Sequence, residues 1–79
     1  MNTFEEQRAE ERVAIENQRR AFERRQAAFL AITKQFYPQG SGQPAASDLD
    51  NLAAADAEWK TANAEVERIA DEIRTGKRR

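Results

Sequence analysis

The chain contains no cysteine and no histidine. Without cysteine there is no disulfide staple and no thiolate zinc site. With neither residue, the Cys–His and Ser–His nucleophile–base pairs are excluded as well. Glycine occurs three times and proline twice in 79 residues. Gly40 and Gly42 stand with Pro38 and Pro44 in one short stretch, and Gly76 stands alone near the end, so no glycine-rich phosphate loop is present. No apolar run approaches the ~20 residues of a membrane span. The opening Met1-Asn2-Thr3-Phe4-Glu5-Glu6 lacks the charged-then-apolar pattern of a secretory signal. These absences predict a non-enzymatic, cytoplasmic protein with no cofactor, no bound metal and no membrane contact.

What is present is charge and alanine. Charged residues make up 34% of the chain and hydrophobic residues 39%, and much of the apolar share is alanine, which buries little area. A chain this small buries only about 60% of its surface even when compact. Small scaffolds therefore need a staple, a metal or a partner, and only the partner is left. The formal net charge is −1, but its signs are segregated. Residues 1–11 carry −3 and residues 12–25 carry +3; residues 48–72 carry −6 and residues 74–79 carry +4. Near neutrality argues against a dedicated nucleic-acid protein, whereas segregation argues for charge matching between helices or subunits.

The chain reads as a single all-α domain over residues 1–79, an antiparallel two-helix hairpin of coiled-coil type that associates into a helical bundle. Thr3 with Glu6 fits a capping box. Good helix formers then run without Gly or Pro as far as Phe36, where the residue before Pro38 must leave the α region. Helix one is expected over about residues 4–36 and a flexible loop over 38–47. Ser47 or Asp48 is the expected N-cap of helix two, over about 48–75, with Gly76 at its C′ position. A basic tail, 76–79, follows.

A seven-residue beat organises helix one: Ala14-Ile15, Ala21-Phe22, Ala28-Phe29. Such a period marks a helix that packs along its length against another. In helix two, Leu52, Trp59, Val66 and Ile73 fall seven apart, with Ala55, Ala62 and Ile69 three residues after the first three. A short loop makes the helices antiparallel and places facing residue numbers at a sum of about 84. Each bulky ring then meets a small residue, Phe29 against Ala55 and Phe22 against Ala62. Arg25 is expected against Trp59, and Gln18 against Val66. The expected hairpin core is Ile15, Phe22, Phe29 and Ile32 from helix one. Helix two adds Leu52, Ala55, Trp59, Ala62, Val66, Ile69 and Ile73. On this register Ala14, Ala21 and Ala28 line an edge without an intrachain partner, and Phe4 lies beyond the end of helix two. These four residues form the expected partner interface, for a second copy or a helical partner protein.

The alternative reading is a nucleic-acid accessory or regulatory protein. Arginines on a helix can clamp phosphates, and here they would be Arg12, Arg19, Arg20 and Arg24, with Lys77, Arg78 and Arg79 as a flexible grip. The competing reading of the same residues is a solvated face, in which Arg19 pairs with Glu23 and Arg20 with Glu16, and a solvated tail. The acids of helix two, among them Glu58, Glu65, Glu67, Asp71 and Glu72, read as a solvated face, because no loop presents them at ligand spacing.

Overall fold

The computed structural model describes residues 3–78 of the chain, with side chains from Phe4 onward. Two helices pack side by side: α1, Thr3–Thr33, and α2, Ala46–Arg74. A 3₁₀ turn, Lys34–Phe36, extends α1 toward the loop. The result is the antiparallel hairpin, 57 × 19 × 17 Å, with no strand among the described residues. Its radius of gyration of 17.6 Å exceeds the ~12 Å of a globular chain of this length, so most residues touch solvent or one neighbouring helix only. The capping box expected at Thr3 rests on a side chain outside those described, as does the tail residue Arg79.

The helix ends follow local chemistry. Tyr37, which precedes Pro38, adopts extended backbone at φ −75°, ψ 161°, as the proline ring demands. The loop then folds back on α1: the Gly42 amide donates to the Gln35 carbonyl at 2.6 Å, and the Ser41 hydroxyl donates to Gln35 Oε1 at 3.1 Å. This return brings Gly40 so near the Gln35 backbone that a Cβ there would collide with it. Gly40→Ala is therefore expected to lower stability by on the order of 1–3 kcal/mol in thermal melts. At the far end Gly76 sits at φ +77°, where glycine carries no Cβ penalty. The Lys77 amide donates to the Glu72 carbonyl at 2.8 Å and the Gly76 amide to the Ile73 carbonyl at 3.2 Å, the two bonds of a Schellman cap. Helix two begins earlier than its polar residues suggest. Its N-cap is Ala45, without a side-chain cap bond, and Ser47 and Asp48 lie inside the first turn, where the Asp48 carboxylate faces the positive end of the helix dipole.

The seam between the helices differs from the expected one by a single position. The buried residues are Ala14, Ala21, Ala28 and Ile32 on α1, and Ala55 and Ile69 on α2. Ile15, Phe22 and Phe29, expected inside, are 55%, 47% and 56% exposed, and Ile73 is 56% exposed. Leu52, Trp59, Ala62 and Val66 are half-buried. The pairs change accordingly. Phe22 packs edge-on against Trp59, with centroids 5.5 Å apart, rather than over Ala62. Arg25 Nε donates to Asp56 Oδ1 at 2.8 Å rather than stacking on Trp59, and Gln18 Nε2 donates to Asn63 Oδ1 at 3.0 Å rather than facing Val66. Each of these pairs sums to 81. The physical reason is size. Ala14, Ala21 and Ala28 on α1, with Ala55 and the half-buried Ala62 on α2, let the two helices pack closely over the middle of the seam, which leaves no room for a phenyl ring. The large residues are displaced to one side and arch over the groove.

Candidate functional face

That displacement creates the most distinctive surface of the hairpin. Ile15 lines a groove with Val66, Ile69 and Ile73. One heptad along, Phe22 and Trp59 form the aromatic pair. One heptad further, Phe29 lines a second groove with Leu49 and Leu52. Heptad spacing puts Ile15, Phe22 and Phe29 in one column of α1, and Leu52, Trp59, Val66 and Ile73 in one column of α2. The two columns meet in a single apolar face along the hairpin. Two polar pairs interrupt it. Gln18–Asn63 lies between the Ile15 and Phe22 layers, and Arg25–Asp56 between the Phe22 and Phe29 layers. The groove on the opposite side is floored by Ala14, Ala21, Ala57 and Ala62 and rimmed by charged and amide side chains, among them Asn17, Arg20, Arg24 and Glu58.

The residues expected at the partner interface are thus redistributed. Ala14, Ala21 and Ala28 are the floor of the seam, at 4%, 7% and 3% exposure. They pack against α2, and Ala14 and Ala21 reach the surface at the bottom of the groove on the opposite side. Phe4 is exposed and takes part in an intramolecular interaction. α2 ends at Arg74, and the tail beyond it turns back onto α1 at Glu10 and Glu11. Arg78 is the agent of that return. Its guanidinium reaches Glu10, Glu11 at 3.3 Å and Glu72 at 3.0 Å, and its side chain is only 4% exposed. The Nε contact to Glu72 lacks hydrogen-bond alignment, so it acts through charge. The tail expected to be solvated is, at Arg78, a clasp between the two helices at the open end of the hairpin.

Three further arginines of the alternative reading, Arg19, Arg20 and Arg24, are also held by carboxylates. Arg19 bonds Glu16, and Glu23 at 2.7 Å; Arg20 lies 3.8 Å from Glu16; Arg24 reaches Glu58 across the seam. Arg12 and Lys77 are exposed and enter no ion pair among those described. The acids of α2 find cations in the same way: Glu65 and Glu72 bond Arg68, and Asp71 lies 3.4 Å from Arg74. Arg68 also reaches Glu10 across the seam at 3.2 Å.

Arginine hydrogen bonds hold several carboxyls below their ordinary range: Arg78 on Glu10, Arg8 on Glu11, Arg19 on Glu16, Arg25 with Lys60 on Asp56, and Arg68 on Glu65. A carboxyl depressed in the folded state contributes stability above its unfolded value and loses it as pH falls through the folded value. Thermal melts followed by circular dichroism should therefore agree at pH 7 and pH 5. They should shift to lower temperature below roughly pH 4, where model carboxyls titrate.

Comparison with protein-family models, with curated proteins and with solved structures finds no match. Among the described residues no helix is long and apolar enough to cross a membrane.

Proposed function

We propose that this chain is a non-enzymatic protein–protein interaction module of the cytoplasm, and that it docks through the face built on Ile15, Phe22, Phe29, Leu52, Trp59, Val66 and Ile73. The observation that supports this reading is the exposure of its large residues. Ile15, Phe22, Phe29, Leu49 and Ile73 are each about half exposed and lie contiguous along one side. Contiguous apolar surface rimmed by polar groups marks an interaction site. Amphipathic helical surfaces recognise other helices through anchors at such spacing. The composition points the same way, since a chain so rich in alanine gains little burial by itself.

Light scattering tests the reading. The wild type is expected to exceed the mass of one chain, and Phe29→Glu to reduce it to one chain with helicity retained. Thr61→Glu, on the opposite face, is expected to leave the mass unchanged. A wild type that stays folded as a single chain at every concentration would count against the module. The nucleic-acid reading has less support, because Arg19, Arg20, Arg24 and Arg78 are already engaged by carboxylates. It would require retention on nucleic acid that falls steeply with salt.

A further inference from the structure

We infer that the occupant of the apolar face is a second copy of this chain, related by a two-fold axis running along the length of the hairpin, so that α1 of each copy lies over α2 of the other. The inference rests on the docking reading above and specifies its partner and geometry.

Three observations carry it. The first is area. The chain exposes 5877 Å², against ~4,900 Å² for a globular protein of its mass. The excess, roughly 1,000 Å², is close to the ~800 Å² that each partner buries in a standard interface.

The second is the layer order. Along the face, layers alternate between apolar and polar: Ile15 with Val66, Gln18 with Asn63, Phe22 with Trp59, Arg25 with Asp56, Phe29 with Leu52. A covering surface must present polar groups at these same two levels, or it would leave the Gln18–Asn63 and Arg25–Asp56 pairs buried without further partners. A second copy in parallel orientation brings the same sequence of layers at the same spacing.

The third is polarity within the layers. In both polar layers α1 supplies the donor and α2 the acceptor: Gln18 Nε2 to Asn63 Oδ1, and Arg25 Nε to Asp56 Oδ1. A two-fold axis along the hairpin lays α1 over the other copy's α2, so donor again meets acceptor. Each Arg25 then lies between two Asp56 carboxylates, and each Asp56 between two guanidiniums, in a square of alternating charge, with Lys60 of the same chain 3.2 Å from the Asp56 Oδ2 atom. In the amide layer the Gln18 Oε1 acceptor and the Asn63 Nδ2 donor face their counterparts on the second copy. An axis across the hairpin would instead lay α1 over α1, and would set the Arg25–Asp56 pair against the uncharged Gln18–Asn63 pair. Only the lengthwise axis compensates the charges.

The square makes a complementation test available. Wild-type chain is expected at twice its 9.0 kDa mass by light scattering. Arg25→Asp alone gathers four acids in one layer, and Asp56→Arg alone gathers four arginines. Each is expected to weaken self-association at least about 100-fold, as like charges in an interface do. Mixed in equal amounts, the two variants place two acids and two arginines in the layer and are expected to recover the two-chain mass. Circular dichroism checks that each variant remains helical. A cysteine pair provides a second measurement that does not depend on the charge variants folding. The natural chain has no cysteine, so Gln18→Cys mixed with Asn63→Cys is expected to give a disulfide-linked pair faster than either variant alone. An associated wild type whose charge variants fail to complement, or whose mixed cysteines link no faster than each alone, overturns this inference and leaves the docking face standing. A wild type with the mass of one chain overturns the docking reading and this inference together.

Discussion

Ala28→Glu, and equally Ala21→Glu, is expected to unfold the hairpin rather than merely weaken an association. Ala28 is 3% exposed and Ala21 7%, and each projects into the seam between α1 and α2. A glutamate there has no room for its side chain and no route to water, and an unpaired buried charge costs several kcal/mol even after relaxation. A domain of this length has a total stability of roughly 4–12 kcal/mol. This one sits toward the low end, since four of the six buried residues among those described are alanine. The cost of the substitution is therefore comparable with the whole. Far-UV circular dichroism should show loss of most helical signal for either variant at room temperature, or a melting temperature far below that of wild type. A variant that melts within a few degrees of wild type would mean that the alanine column faces solvent, and would overturn the assignment of the seam. Ala27→Glu, one position along on an exposed site, is the matched control and should cost little.

The contrast between Ala27 and Ala28 bears on what could be read from the residues alone. The two helices, their antiparallel pairing, the break at Pro38 and the stop at Gly76 are legible, because each has a local cause. The seven-residue beat is legible too, but a beat locates a stripe and not its centre. Ala14 and Ile15 recur at the same period, and adjacent residues on a helix are only about 100° apart. Either column could face α2. Choosing the bulky one assumes that the seam selects large residues. The alanines Ala55 and Ala62 satisfy two packings equally well, a ring over a small residue or a close approach of backbones. One signal did favour the second. With Ile15 and Phe22 at the seam centre, the neighbouring seam column would have carried Glu11, Gln18 and Arg25, three polar residues in a row. Their partners Asn63 and Asp56 sit at the matching levels of α2, so the polar residues were evidence for a face of paired groups beside a narrower seam.

Arg78 shows a second kind of illegibility. A basic tail of four residues looks solvated by composition. Its role becomes visible only when the hairpin is closed, because closure brings Arg78 of the basic segment onto Glu10 and Glu11 of the acidic one. The segregation of charge along the chain is the trace of that contact. The bonds of Arg78 to Glu10 and Glu11 and its ion pair with Glu72 turn an end-to-end attraction into a specific clasp.

Replacing Ile15, Phe22 and Phe29 together by glutamine is expected to have the opposite character to the seam variants: the hairpin folds and the assembly is lost. These side chains are 55%, 47% and 56% exposed. Each leaves roughly 100 Å² in water, about half of what a large apolar side chain can bury. At ~25 cal/mol per Å² each could contribute about 2.5 kcal/mol to a docked complex, or ~7.5 kcal/mol for the three. Association costs reduce what survives as affinity, yet a third of that sum still weakens the dissociation constant by roughly 60-fold. Intramolecular losses are smaller, because Ala14, Ala21, Ala28 and Ile32 keep the seam closed; the edge contact of Phe22 with Trp59 is the main one given up. Concentration dependence separates the two effects. A protein stabilised by assembly melts at higher temperature as concentration rises, so the wild-type melting temperature should climb across a dilution series. The triple variant should melt at one temperature throughout, with the mass of a single chain and helicity close to that of dilute wild type. If the variant kept both the mass and the rising melting temperature of wild type, the exposed column would have no part in association. The packing that sets small residues inside and large ones outside would then have no functional consequence.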